Sequence, residues 1–171
     1  MSSLEIKTSR EGKKDVYKTT FRCKGSLKKV VEYLKGTEMP VISQYPEVGV
    51  IDVDSSNDGV ITKIIRSSLP DTEAVNLYLG CKFINIKYDI AYDENTLVSV
   101  CKNPDILNNL FKFTEFLTVE QHGDDLIFER VAKVRNIGKL IPILGSSYQI
   151  YDDHFNNQSI AFYLGISEAS K

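Results

Sequence analysis

Phe83-Ile84-Asn85-Ile86-Lys87-Tyr88-Asp89-Ile90-Ala91-Tyr92 is where the character of this chain is plainest. Ile84, Ile86, Tyr88, Ile90 and Tyr92 share one parity; Asn85, Lys87 and Asp89 share the other. Successive side chains of a strand point to opposite faces, so the alternation predicts a half-buried strand over 82–92. Asp93-Glu94-Asn95 turns the chain, and TLVSVCK (96–102) returns as its partner.

Similar patterns lie on both sides. EVGVIDVD (47–54) and GVITKIIRS (59–67) are β-branched runs around Ser55-Ser56-Asn57-Asp58-Gly59, a hairpin signature. FKFTEFLTVEQ (111–121) and DDLIFERVAKVRN (residues 124–136) form a second hairpin around His122-Gly123-Asp124. DVYKTTFRCK (15–24) alternates Tyr17, Thr19, Phe21 and Cys23 against Lys18, Thr20, Arg22 and Lys24. Two stretches carry helical spacing. In LKKVVEYLK (27–35), Leu27, Val30, Val31 and Leu34 share a face, with Ser26 as N-cap and Gly36 beyond the end. After Pro142 and Gly145, residues Leu144, Tyr148, Tyr151, Phe155, Ser159 and Phe162 recur at steps of three and four, an aromatic-rich amphipathic helix. Leu69-Pro70-Asp71 breaks a strand, and TEAVNLYL (72–79) has the makings of a short helix before Gly80.

The order is strand, helix, six strands, long helix. That predicts one α+β domain over 1–171: a seven-stranded curved antiparallel sheet wrapped around a long C-terminal helix, with 1–14 a flexible segment. Such a cup leaves a concave, apolar space between sheet and helix, where small-molecule sites occur.

Composition agrees with an ordinary globular domain. Of 171 residues 42% are hydrophobic and 26% charged, a size that buries a core without disulfide staples. The net charge of −2 offers no overall field for nucleic acid, and none is expected as a partner. Cys23, Cys81 and Cys101 are odd in number and widely spaced, which suits neither a zinc site nor a C-x-x-C redox pair. No metal or cofactor is expected. The polar, mixed-charge start reads neither as a secretion signal nor as a transit peptide, and cytoplasmic residence is the expectation.

The elements, in this order, resemble the helix-grip superfamily: START domains, the birch-pollen-allergen family and the PRELI-like proteins. The layout Gly59-Val60-Ile61-Thr62-Lys63-Ile64-Ile65-Arg66-Ser67-Ser68-Leu69-Pro70, then a short segment and Leu79-Gly80-Cys81, is similar to the PRELI-like middle region. The spacing over 83–102 and the string Phe116-Leu117-Thr118-Val119-Glu120 are similar to its later strands, and Ile141-Pro142 before a long helix resembles START domains. Asp105–Lys112 looks like an insertion relative to PRELI-like proteins, and 15–24 lacks their N-terminal spelling. The resemblance implies a lipid-binding or lipid-transfer START/PRELI-like domain, non-enzymatic; PRELI membership would imply the mitochondrial intermembrane space.

No phosphate-binding glycine loop and no H-E-x-x-H occurs. His122 sits in a turn and His154 beside Asp152 and Asp153, with no nucleophile in view, so no catalytic residue is assigned. The expected function is binding or transfer of a lipid or small hydrophobic ligand between sheet and helix. A helix-grip cyclase or hydrolase, drawing on Tyr88, Tyr92, Tyr148 and Tyr151, is the enzymatic alternative; an interaction module with a filled core is a third. The candidate ligand residues are Arg66, Ile86, Tyr88, Ile90, Arg130, Tyr148, Tyr151 and Phe155, with gates at 69–80 and 103–112. The PRELI-like layout is what brings Arg66 in, at the approach to its lid. Arg130 alternates with Leu126, Phe128, Ala132 and Val134, so it points inward, where a cation needs an anion. Glu115, alternating with Phe113 and Leu117, is one candidate; an anionic headgroup is the other.

Charge divides unevenly. Residues 1–35 hold ten Lys/Arg against four Asp/Glu, and residues 36–125 hold six against fifteen. Arg130, Lys133, Arg135 and Lys139 crowd ten positions. If first and last strands are neighbours, the basic segments meet, and Lys133, Arg135 and Lys139 would touch an anionic membrane.

Overall fold

The computed structural model describes residues 4–11, 14–37, 49–69, 73–107, 112–135 and 148–171. Its strands are β1 (Leu4–Glu11), β2 (Lys14–Lys24), β3 (Gly49–Asp54), β4 (Val60–Ser68), β5 (Phe83–Tyr92), β6 (Thr96–Lys102), β7 (Lys112–His122) and β8 (Asp125–Arg135). The helices are α1 (Leu27–Lys35), α2 (Glu73–Leu79) and α3 (Tyr148–Ala169), with a single 3₁₀ turn at Asp105–Leu107.

All strands join one antiparallel sheet in the order β1-β2-β8-β7-β6-β5-β4-β3. The expected α+β architecture, a curved sheet gripping a C-terminal helix, is present. Two details differ. The sheet has eight strands, because Leu4–Glu11 pairs with β2 as an edge strand and is not a loose N-terminal segment. The first long strand does meet the last: Tyr17 lies opposite Ala132, Thr19 opposite Arg130 and Phe21 opposite Phe128.

Alternation selects the inner face as expected. In β8 every second residue, Leu126 to Val134, is buried. Ile61, Ile65, Ile84, Ile90, Leu97, Leu117 and Val119 are buried on neighbouring strands. Two residues connect β7 to β8, and Gly123 supplies the left-handed conformation (φ 61°) that so tight a link requires.

α1 closes one end of the cup, burying Leu27, Val30, Val31 and Leu34. Its start is capped differently from expectation. Ser26 makes no side-chain cap bond. The Leu27 N–H instead donates to Gln121 Oε1 at 2.7 Å, while Gln121 Nε2 donates to the carbonyls of Gly25 and Gly123. Gly36 ends the helix in extended conformation (φ −79°), so no left-handed cap forms. Lys63 reaches across from β4 and donates to the carbonyls of Leu34 and Gly36, satisfying that terminus.

α3 lies along the inner face, leaning toward β2 and β8. Phe155, Ser159, Tyr163 and Ile166 form its buried stripe. Tyr163 stacks on Phe21 with ring centroids 5.1 Å apart, and its hydroxyl meets Thr19 Oγ1 at 2.5 Å. The helix ends against Gly25, where an added methyl would stand 2.2 Å from Ser170 Oγ.

Around α1 and the C-terminal half of α3 the interior is filled: Phe21, Leu97, Val119, Leu126, Phe128, Tyr163 and Ile166 belong to one apolar cluster. Ile166→Ala should therefore lower unfolding free energy by roughly 2–5 kcal/mol in urea titration monitored by circular dichroism.

Candidate functional site

Strand register lines side chains up in rows across the inner face. One row runs Lys63, Tyr88, Cys101, Glu115, Ala132, Tyr17. The next, nearer α1, runs Ile61, Ile90, Ser99, Leu117, Arg130, Thr19. Together they form a polar belt midway along the cup. On the α1 side lies the filled cluster. On the other side, toward α2 and the start of α3, lies a smaller one of Tyr17, Ile84, Leu107, Ala132, Val134 and Phe155. Leu69, Leu79, Cys81, Ile86 and Phe113 border it only partly buried.

Arg130 anchors the belt. Its Nε donates to Glu115 Oε1 at 2.9 Å and its Nη2 to Glu115 Oε2 at 2.7 Å, a bidentate pair. Its Nη1 donates to Ser159 Oγ on α3 at 2.7 Å, and the guanidinium sits 4.6 Å from the Phe155 ring centroid. Burial opposes this charge, but the facing Glu115 carboxylate outweighs burial and raises the Arg130 pKa further. Sequence left two partners open for Arg130; within the molecule the partner is Glu115.

Tyr88 and Cys101 are cross-strand neighbours within hydrogen-bonding reach. Burial, reinforced by Cys101 and Glu115, holds the Tyr88 phenol well above its ordinary range. Burial also pushes the Cys101 thiol up, helped by Glu115, so it stays protonated and is a poor nucleophile. Tyr163 is pushed up to about 12, chiefly by burial.

β5 and β7 are central strands, flanked on both sides. Yet the inward-pointing Ile86, Tyr88, Phe113 and Glu115 all keep accessible area. Toward α1 the strands β5–β7 bury Ile90, Leu97, Leu117 and Val119.

The sequence candidates divide accordingly. Ile86 and Tyr88 are half-buried on the inner face, and Arg130 and Phe155 are buried against one another at the belt. Ile90 is buried in the packed cluster and lines no space. Arg66 is misplaced by the family layout: its parity puts it on the outer face, exposed, with Nε 3.4 Å from Asn85 Oδ1 and its guanidinium 6.0 Å from the Phe83 ring. Tyr148 and Tyr151 begin α3, but their side chains lie outside the described residues. Lys63 and Cys101 were overlooked, although each sits at an inward parity position (Ile61-x-Lys63-x-Ile65; Leu97-x-Ser99-x-Cys101). Of the expected gates, α2 presents Leu77 at 77% exposure, and Ile106 is exposed in the 3₁₀ turn.

The basic segments do meet on the outer face of β2 and β8, but Lys18 pairs with Glu129 at 2.7 Å and Arg22 with Asp125 at 2.6 Å. Arg135 is exposed, Lys133 half-buried, and Lys139 lies outside the described residues. Among the described residues no helix is long and apolar enough to cross a membrane.

No family model matches the chain. It is 29% identical over 107 residues to the S-layer protein EA1 of Bacillus anthracis, a match covering 59% of this chain and 12% of that protein. Among solved structures it resembles the di-domain ARO/CYC StfQ from the steffimycin biosynthetic pathway (TM-score 0.57, 11% identity), covering 91% of this chain. It also resembles the di-domain ARO/CYC BexL from the BE-7585A biosynthetic pathway (TM-score 0.58, 10% identity), covering 93%. The chain spans 50% of each of these proteins. Protein Ms6760 from Mycobacterium smegmatis matches over 99% of this chain and 94% of its own (TM-score 0.50, 13% identity). The chain has the helix-grip fold. One expectation is corrected by these likenesses. A non-enzymatic protein was expected, and the helix-grip structures it resembles include aromatase/cyclases, so the fold gives no ground for excluding catalysis.

Two outcomes follow from the belt. Arg130→Met should strand the Glu115 carboxylate and destabilise the protein by roughly 3–5 kcal/mol, and Arg130→Met with Glu115→Leu should recover much of that loss in urea unfolding. The phenols should also make stability sensitive to alkali. The folded protein keeps the Tyr163 proton to about pH 12, while the unfolded chain releases it near 10.0. Stability is then fully present below the unfolded value and is lost as pH rises through the folded one. Tyr163→Phe should flatten that alkaline decline in unfolding titrations.

Proposed function

We propose that this chain encloses a small hydrophobic molecule in the half of the cup between the polar belt and the loop bearing α2. The carrying observation is the accessibility of Ile86, Tyr88, Phe113 and Glu115 on an inner face whose α1 half is packed shut. Apolar surface of the ligand leaves water against Ile86, Phe113 and the partly buried Leu69, Leu79 and Cys81, worth roughly 25 cal/mol per Å² buried. A lipid chain or a compact ring system both suit such a wall. The likeness to ARO/CYC proteins of two biosynthetic pathways supports a cup that holds small molecules.

Chemistry on the enclosed molecule is the second reading, favoured by Tyr88 and Glu115 lying in one row two strands apart. A phenol held so far above its ordinary range transfers its proton poorly at neutral pH. Its part in a reaction would be hydrogen-bond donation to a developing oxyanion rather than proton delivery.

Titration with the uncharged dye N-phenylnaphthylamine, whose fluorescence rises in apolar surroundings, tests the cup. The wild type should show one saturable site. Ile86→Trp, which fills that half of the cup, should weaken the dye by about tenfold or more while leaving the circular dichroism spectrum unchanged. Equal dye binding by both proteins would refute the proposed location.

A further inference from the structure

We infer that the molecule in the cup is uncharged and is anchored by a hydroxyl group donating to the Glu115 carboxylate. This rests on the cup reading above and adds the charge class of the occupant.

The Arg130–Glu115 pair is asymmetric. The Arg130 side chain is 8% exposed and that of Glu115 20%. Arg130 is covered because each of its nitrogens already points at a partner, two at Glu115 and one at Ser159, and one guanidinium face lies on Phe155. Glu115 is less enclosed. Each of its oxygens accepts one bond from Arg130, and a carboxylate oxygen has two acceptor directions. Of this ion pair the less covered member is therefore the carboxylate, which accepts hydrogen bonds and donates none. It is one row nearer than Arg130 to the partly buried Ile86 and Phe113.

That arrangement sorts ligands. An anionic headgroup would meet the exposed carboxylate before it met the covered guanidinium, and like charges repel strongly where water is scarce. A cation would meet a carboxylate already neutralised by Arg130, and would still give up its hydration on entry. A hydroxyl does neither: it donates to a free lone pair of Glu115 and leaves the pair's balance untouched. The Tyr88 hydroxyl, two strands away in the same row, keeps its proton and can donate to the ligand oxygen in turn. The fatty-acid or phospholipid headgroup considered for Arg130 is the ligand this geometry disfavours.

Competition against bound N-phenylnaphthylamine separates the classes with one carbon chain. Decanol should displace the dye from the wild type at a concentration about tenfold or more below decanoate. In Glu115→Gln the guanidinium loses its counter-charge, and decanoate should match or overtake decanol. If that variant does not fold, Glu115→Asp, which draws the carboxylate back, should weaken decanol more than it weakens the dye. Dye binding with decanoate competing as well as decanol in the wild type overturns this inference and leaves the cup reading standing. An unaltered decanol preference in Glu115→Gln, or decanol weakened no more than the dye in Glu115→Asp, overturns Glu115 as the anchor. Absence of any saturable dye site overturns both readings.

Discussion

A guanidinium placed inside a small apolar cup must be paired, and the way Arg130 is paired organises the rest of this molecule. Its charge cannot be left alone beneath a helix, because removing it from water costs several kcal/mol unless the geometry repays it. Repayment comes from three elements at once. Glu115 on β7 takes two donors, Ser159 on α3 takes a third, and Phe155 covers a face. The same residue thus joins two neighbouring strands and sets the height at which α3 crosses them.

With α3 held at Arg130 and again at the Thr19–Tyr163 contact, the helix lies over β2 and β8. Its C-terminal half meets α1 and finishes a packed core. The half of the cup toward α1 is filled, and the polar belt is its boundary. Large apolar residues near α1 hold the fold, while Ile86 and Phe113, beyond the belt, are only half-buried.

Charge balance in the belt bears on function more than the amount of positive charge does. A basic stretch over residues 1–35 and a basic cluster at 130–139 suggested an anionic partner. In the folded chain much of that charge is already spoken for: Arg130 by Glu115, Lys18 by Glu129, Arg22 by Asp125. Surface pairs of the last two kinds contribute little to stability, but they do reduce the field available to an external anion. Inside, the covered cation and the accessible carboxylate reverse the polarity that counting arginines implies.

Parity was legible in the chain. The alternation in 82–92 and 125–135, the i, i+3, i+4 spacing of Leu27–Leu34 and the step through Phe155, Ser159 and Phe162 are local properties, imposed by the periods of strand and helix. They sufficed for the sheet, the gripping helix and the inward turn of Arg130. Arg66 shows the cost of leaving parity: a family layout put it at the ligand, while its own alternation puts it outside. What pairing adds is non-local. Leu4–Glu11 could be recognised as a strand only by its partner β2. Lys63, Tyr88, Cys101 and Glu115 become one row only through four strands brought into register, across more than fifty residues of sequence. Whether Arg130 meets a carboxylate of its own or that of a ligand is likewise invisible in sequence, because both readings place the same cation on the same face. Tertiary structure decided it, since only the register of β7 against β8, and the height of Ser159 above them, says which oxygen atoms lie within hydrogen-bond distance.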